Sequence, residues 1–186
     1  MLLAKRILTV AAVLFIVGCV TNANTPQQKR QAIQDMKAET LTRLYNLKQG
    51  TKAQIKSSPG YAVFSNANVN VILASFGGGY GVVTNNRSGQ VTYMKMGELG
   101  LGIGAGVKDF RVVMVFDSEK ALENFIENGW TIGGQADAAA KASDKGAAVG
   151  GEAVVNGITV YQLTESGLAL QATIKGTKFW KDSELN

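Results

Sequence analysis

"FRVVMVFDSEKALENFIENG", Phe110 to Gly129, decides the fold class. Its opening run, Phe110–Phe116, is apolar apart from Arg111. That is the pattern of a strand covered on both faces. The pattern then changes. Leu122, Phe125 and Ile126 recur at helical spacing and share one face. Ser118 is placed to cap that helix and Gly129 to close it. A buried strand feeding an amphipathic helix, among segments that otherwise read mostly as strands, predicts an α+β domain.

Upstream, "YAVF" (Tyr61–Phe64), "VNVILASF" (Val69–Phe76), "GGGYGVVTN" (Gly77–Asn85) and "QVTYMKM" (Gln90–Met96) read as strands. "NNRSG" (Asn85–Gly89) reads as a hairpin loop. Downstream, "ITVYQL" (Ile158–Leu163) and "LALQATI" (Leu168–Ile174) flank "TESG" and predict a last hairpin. The Ala-rich stretch Asp137–Val149 is open between strand and loose helix. Before the strands, Ile33, Met36, Leu41, Leu44 and Leu47 make an apolar stripe that predicts a helix over about 28–48. Thr25 or the turn at Pro26 would start it, and Gly50 would stop it. Thr51 with Gln54 has the spacing of a capping box for a second short helix ending at Pro59-Gly60. The expected architecture is a mainly antiparallel, β-rich core, barrel- or sandwich-like with Gly-rich strands. N-terminal helices and one internal helix pack on it.

"GLGIGAGVK" (Gly100–Lys108) carries glycine at every second position. It lacks the helix-opening context of a dinucleotide fingerprint, and no Gly-Lys-Ser/Thr marks a phosphate loop. Period-two glycine instead strips one strand face of side chains. The favoured reading is sheet curvature or an aromatic ring packed on glycine, from Tyr80 or Trp130. The competing one is a cleft for an acyl chain.

Hydrophobic residues make up 46% of the 186-residue chain and charged residues only 18%, which argues for a packed core. There is no histidine and one cysteine. A Ser-His-Asp triad, an internal disulfide and the usual zinc or copper ligand sets are therefore excluded. Neither a metal nor a cofactor is expected. Glu98, Asp109, Asp117 and Glu119 lie near strands, but no spacing marks them as catalytic, and a carboxylate at a helix start suits the helix dipole. The expectation is a protein that is not an enzyme, with an envelope hydrolase as the weakest alternative.

The cysteine sits in "FIVGCVTN" (Phe15–Asn22). Lys5 and Arg6 precede an apolar run, Ile7–Val17, of 11 residues. That is about half the ~20 a spanning helix needs and suits a secretory signal. Ile16-Val17-Gly18-Cys19 resembles the lipobox of bacterial lipoprotein precursors. The resemblance implies cleavage after Gly18 and acylation of Cys19 with diacylglycerol and a further chain such as palmitate, enough for stable anchoring. Residues 1–18 are then a signal peptide, 19–27 the lipidated Cys and tether, and 28–186 the domain. Val20, where Asp would favour the inner membrane, points to the outer membrane, facing the periplasm.

Net charge is +5, and its distribution is uneven. Residues 20–60 hold seven basic residues (Lys29, Arg30, Lys37, Arg43, Lys48, Lys52, Lys56) against two acidic ones. Residues 61–186 hold ten basic against twelve acidic. A basic helical segment just after an anchor suits an anionic membrane surface. Equally, its apolar stripe could cover the sheet while its charges face water. The stripe is too modest for nucleic acid, and the expected compartment is wrong for it.

The motifs "GYAVF" (Gly60–Phe64), "GGGYGVV" (Gly77–Val83), "GLGIGAG" (Gly100–Gly106), "VMVFDSEKALENFIENGW" (Val113–Trp130), "GGQADAAA" (Gly133–Ala140) and "VYQLTESGLALQATIKGTKFW" (Val160–Trp180) together resemble the SYLF domain family. They cover most of residues 50–180 in order. The resemblance implies a compact β-rich domain that binds membrane lipid. Eukaryotic relatives bind phosphoinositides through basic N-terminal sequence, which maps by region onto the seven cations above. Ser65 departs from the Pro found in many relatives. A bacterial lipoprotein meets neither actin nor, normally, phosphoinositides, so actin binding does not transfer. The expected ligand is an anionic phospholipid or an acyl chain. A structural or protein-interaction module of the envelope is the alternative.

Overall fold

The computed structural model describes residues 25–71, 74–100, 106–132, 152–155, 157–165, 167–169 and 177–186. Two helices lead: α1 (Pro26–Leu47) and α2 (Thr51–Ser57). Four long strands follow: β1 (Gly60–Val71), β2 (Ala74–Asn85), β3 (Val91–Gly100) and β4 (Gly106–Phe116). Then come α3 (Glu119–Asn128) and the shorter strands β5 (Trp130–Ile132), β6 (Glu152–Val155), β7 (Ile158–Thr164), β8 (Gly167–Ala169) and β9 (Thr177–Lys181).

All nine strands join one antiparallel sheet in the order β5-β9-β3-β2-β1-β4-β7-β6, with β8 also paired to β7. β1, β2 and β3 form a meander, and β4 returns beside β1. The spatial order 4-1-2-3 is a Greek key. Among the described residues the sheet does not close into a barrel. It is α+β and antiparallel as expected, but it is one open sheet with helices on both faces.

Strand alternation creates two cores. On one side Ala62, Phe64, Val112, Met114, Phe116, Ile158, Val160 and Phe179 pack with Leu122 and Phe125 of α3. The Phe125 ring lies 6.2, 5.2 and 5.5 Å from those of Phe64, Phe116 and Phe179. On the other side Val63, Val82, Val113, Val115, Tyr161 and Leu163 pack with Ile33, Met36 and Leu44 of α1, Ile55 of α2, and Leu185. β4 feeds both cores, so its run is apolar at every position from Val112 to Phe116.

Local chemistry explains the helix ends. The Thr25 N–H donates to Gln28 Oε1 (2.8 Å) and the Gln28 N–H to Thr25 Oγ1 (3.3 Å), a complete capping box before Pro26. The box that the sequence predicted, Thr51 with Gln54, does not form. Gly50 occupies the cap position in the left-handed region (φ 86°) and supplies no side chain. Gln54 Oε1 instead accepts from the Tyr161 hydroxyl at 2.6 Å. Ser118 accepts from the Ala121 N–H at 3.2 Å and starts α3 as expected.

"VNVILASF" is not one strand: it spans the end of β1 and the start of β2, in register at Val71↔Ala74. The "TESG" hairpin forms through β7 and β8, but β9 follows it. The Ala-rich stretch, "GGQADAAA" and residues 101–105 of the alternating-glycine motif lie outside the described residues. In the neighbouring glycine-dense strand, close packing is visible. A Cβ on Gly81 would fall 2.2 Å from the Phe64 ring, and one on Gly79 would fall 2.4 Å from Ser65 O. Here the rings that lie on glycine are Phe64 on Gly81 and Trp180 against Gly97; the expectation of Tyr80 or Trp130 on the alternating glycines falls outside the described residues.

Candidate functional site

α1 crosses one face of the sheet, its buried stripe Ile33, Met36, Thr40 and Leu44 turned inward. Among the described residues, no helix is long and apolar enough to cross a membrane. The apolar stripe covers the sheet, one of the two compatible sequence readings.

The seven cations divide into two sets. The first holds the helix at both ends. Near its start, Lys29 Nζ lies 3.3 Å from Glu184, and Arg30 Nε donates to Leu185 O at 2.9 Å. The Arg30 guanidinium also stands 6.0 Å from the Tyr93 ring centre. Near its end, Arg43 Nη2 donates to Thr164 O and, at 3.3 Å, to Glu165 O in the β7–β8 turn. Lys48 Nζ stands 5.3 Å over the Tyr161 ring. These contacts span a first turn near β3 and β9 and a last turn near β7.

The second set is Lys37, Lys52 and Lys56. Lys52 and Lys56 stand exposed one turn apart on α2. Lys37 is half-buried on α1, and desolvation lowers its pKa below the usual lysine value. Asn86 ties the β2–β3 turn to the end of α2 by donating to Ile55 O (2.7 Å) and Ser58 O (2.9 Å). That places exposed Arg87 next to α2. Arg87 also reaches Glu119 of α3 at 3.5 Å.

Cys19 lies outside the described residues. So do the side chains of Glu98 and Asp109. Glu119 accepts from Asn85 Nδ2 at 2.8 Å in the first turn of α3, a structural position. The Asp117 carboxyl, just before the cap, is raised by desolvation. Among the described residues no cluster of His, Cys, Asp and Glu could hold a metal ion.

Sequence reading singled out the cations by number and position. It missed the uncovered sheet strip beside α1, where Tyr80 and Trp180 stay 44% and 40% exposed. The alternation of "KFW" after "TIKGT" was the available signal, but it identifies a strand without naming its neighbours.

The described residues thus form an open antiparallel sheet that carries a basic N-terminal helix clamped at both ends. Residues 97–186 match the family model described as Ysc84, Las17-binding protein actin regulator. The chain is 32% identical over 170 residues to Beta cell expansion factor A of Aeromonas veronii, a match covering 88% of this chain and 61% of that protein. Residues 97–186 thus carry a Ysc84 (SYLF) domain match, and the chain spans about 61% of the length of the relative it resembles. The match supports a lipid-binding or actin-regulator-like domain.

Proposed function

We propose that this protein is a non-catalytic lipid-binding module of the bacterial cell envelope. Acylated Cys19 anchors it, in the outer membrane facing the periplasm, and anionic phospholipid is its ligand. The observation that carries the reading is the cationic set Lys37 on α1 and Lys52 and Lys56 on α2, the two helices that follow the tether, with exposed Arg87 next to α2. Lys29, Arg30, Arg43 and Lys48 hold α1, which presents Lys37. Each lysine near an anionic surface contributes ~1 kcal/mol, weakened by salt. The family's lipid-binding association supports the ligand class. The lipobox pattern supports the anchor.

The test is vesicle co-sedimentation of residues 20–186 without the acyl anchor. Binding to phosphatidylglycerol vesicles is expected at low salt and not to phosphatidylcholine. Replacing Lys37, Lys52 and Lys56 by Gln should weaken it about a hundredfold, from ~1 kcal/mol each. A folded triple variant that binds as the parent does would remove these residues from the site.

A further inference from the structure

Among the described residues, the face of the sheet that carries α1 is only partly covered. Val63, Val82 and Val113 lie beneath the helix. One row further along the strands the register aligns Arg111, Ser65, Tyr80, Lys95 and Trp180 across β4, β1, β2, β3 and β9. The next row aligns Asp109, Ala67, Gly78, Gly97 and Lys178. Here the side chains thin out. A Cβ on Gly78 would meet nothing within 4 Å. A Cβ on Gly97 would meet only the Trp180 indole, at 3.0 Å. Tyr80 and Trp180 are two of the four large apolar side chains left exposed among the described residues. Lys178 is exposed, Lys95 pairs with Asp182 at 3.3 Å, and Arg111 donates to Ser65 Oγ.

Tyrosine and tryptophan with lysine and arginine, and little other side chain, is the chemistry of the headgroup boundary of a bilayer. Position adds to composition. Trp180 lies four residues before Glu184, and Glu184 and Leu185 hold Lys29 and Arg30 in the first turn of α1. The chain enters α1 there, and Cys19 stands six residues before Thr25. Six extended residues span at most ~20 Å. An anchor at Cys19 would hold this edge of the sheet close to the membrane. The local charges are Lys29, Arg30, Lys95, Lys178 and Arg111 against Asp109, Asp182 and Glu184, a positive balance that suits an anionic surface.

We propose that the strip formed by Tyr80, Trp180, Lys95, Lys178 and Arg111 seats on an anionic bilayer, with the two rings at headgroup depth. The proposal rests on the membrane reading above and adds a second contact surface, distinct from Lys52 and Lys56.

The test uses the full chain as a bacterial host processes it, in vesicles of phosphatidylglycerol with brominated acyl chains. The fluorescence of Trp180→Phe is subtracted from that of the parent, which isolates Trp180 from Trp130. At least half of the Trp180 signal should be quenched, and quenching should fall in high salt or in brominated phosphatidylcholine. Lys178→Gln, an exposed change, should lower the ratio of seated to unseated protein about fivefold. Vesicle-bound protein whose Trp180 is unquenched in both lipids overturns the strip and leaves the anchor standing. Equal quenching in both lipids overturns the anionic preference. Protein that stays out of the vesicle fraction overturns strip and membrane reading together.

Discussion

Gly129 ends α3 with φ 65° and ψ −166°, a region essentially confined to glycine. A Cβ there would fall 2.0 Å from Phe179 O, on a paired β9 backbone that has no room to yield. Gly129→Ala should therefore cost more than about 2 kcal/mol, strain and clash acting together. Chemical denaturation measures it, and a loss below about 0.5 kcal/mol would show that β9 can shift. Gly129 was legible from its place after "FIEN". Gly81, with Phe64 lying on it, was not, because strand register decides which ring meets which glycine. Lys37 offers a pH test. Its folded pKa lies below 10.5 through desolvation. The unfolded chain thus binds more protons between the two values, and stability rises with pH across that window. Lys37→Met should abolish that alkaline rise in a urea series and raise the melting temperature at neutral pH. An unchanged pH profile would mean that the amine stays solvated.

At the scale of elements, α1 depends on its ends. Arg43 donates to two carbonyls of the β7–β8 turn from a half-buried position. Arg43→Ala should cost about 1–2 kcal/mol, the range for a charged hydrogen bond reduced for partial exposure. Hydrogen exchange should quicken in the last turn of α1 and around Thr164, with the first turn unchanged. Uniform quickening would argue against two separate clamps. The helix itself was legible from its stripe. Its start at Thr25 was legible, yet the chain holds three Thr-x-x-Gln patterns, two of them at helix starts, and of those two only the one at Thr25 closes. Tyr161 draws Gln54 away from the other, across 107 residues. A contact so distant along the chain leaves no mark in a local pattern.

At the scale of the molecule, β1 and β4 form the wall between the two cores. Phe125 joins the rings of Phe64, Phe116 and Phe179 on one side of it. Phe125→Ala should cost about 3–5 kcal/mol, as for other large aromatic truncations in a core. Calorimetry should show one transition moving as a whole; two separated transitions would mean that the cores fold independently. The α+β class was readable because buried strands and an amphipathic helix differ in period. Sheet order was not. The Greek-key return of β4 to β1 aligns Gly60 with Phe116, and pairing at that separation is settled by packing.

The short run after β9 has a consequence for how the protein is made. Leu185 is 3% exposed beneath α1, Arg30 donates to its carbonyl, and Asn186 Nδ2 donates to Tyr93 O at 2.8 Å. The residues that seat the first turn of α1 thus lie 155 positions downstream. At translation rates of about 5–20 residues per second, α1 exists for roughly 8–30 s before its seat does. Ile33, Met36 and Leu44 can meet Val63, Val82 and Val113 before then, but the first turn of α1 has no seat. The start of that helix leaves the ribosome early and is among the last parts able to settle.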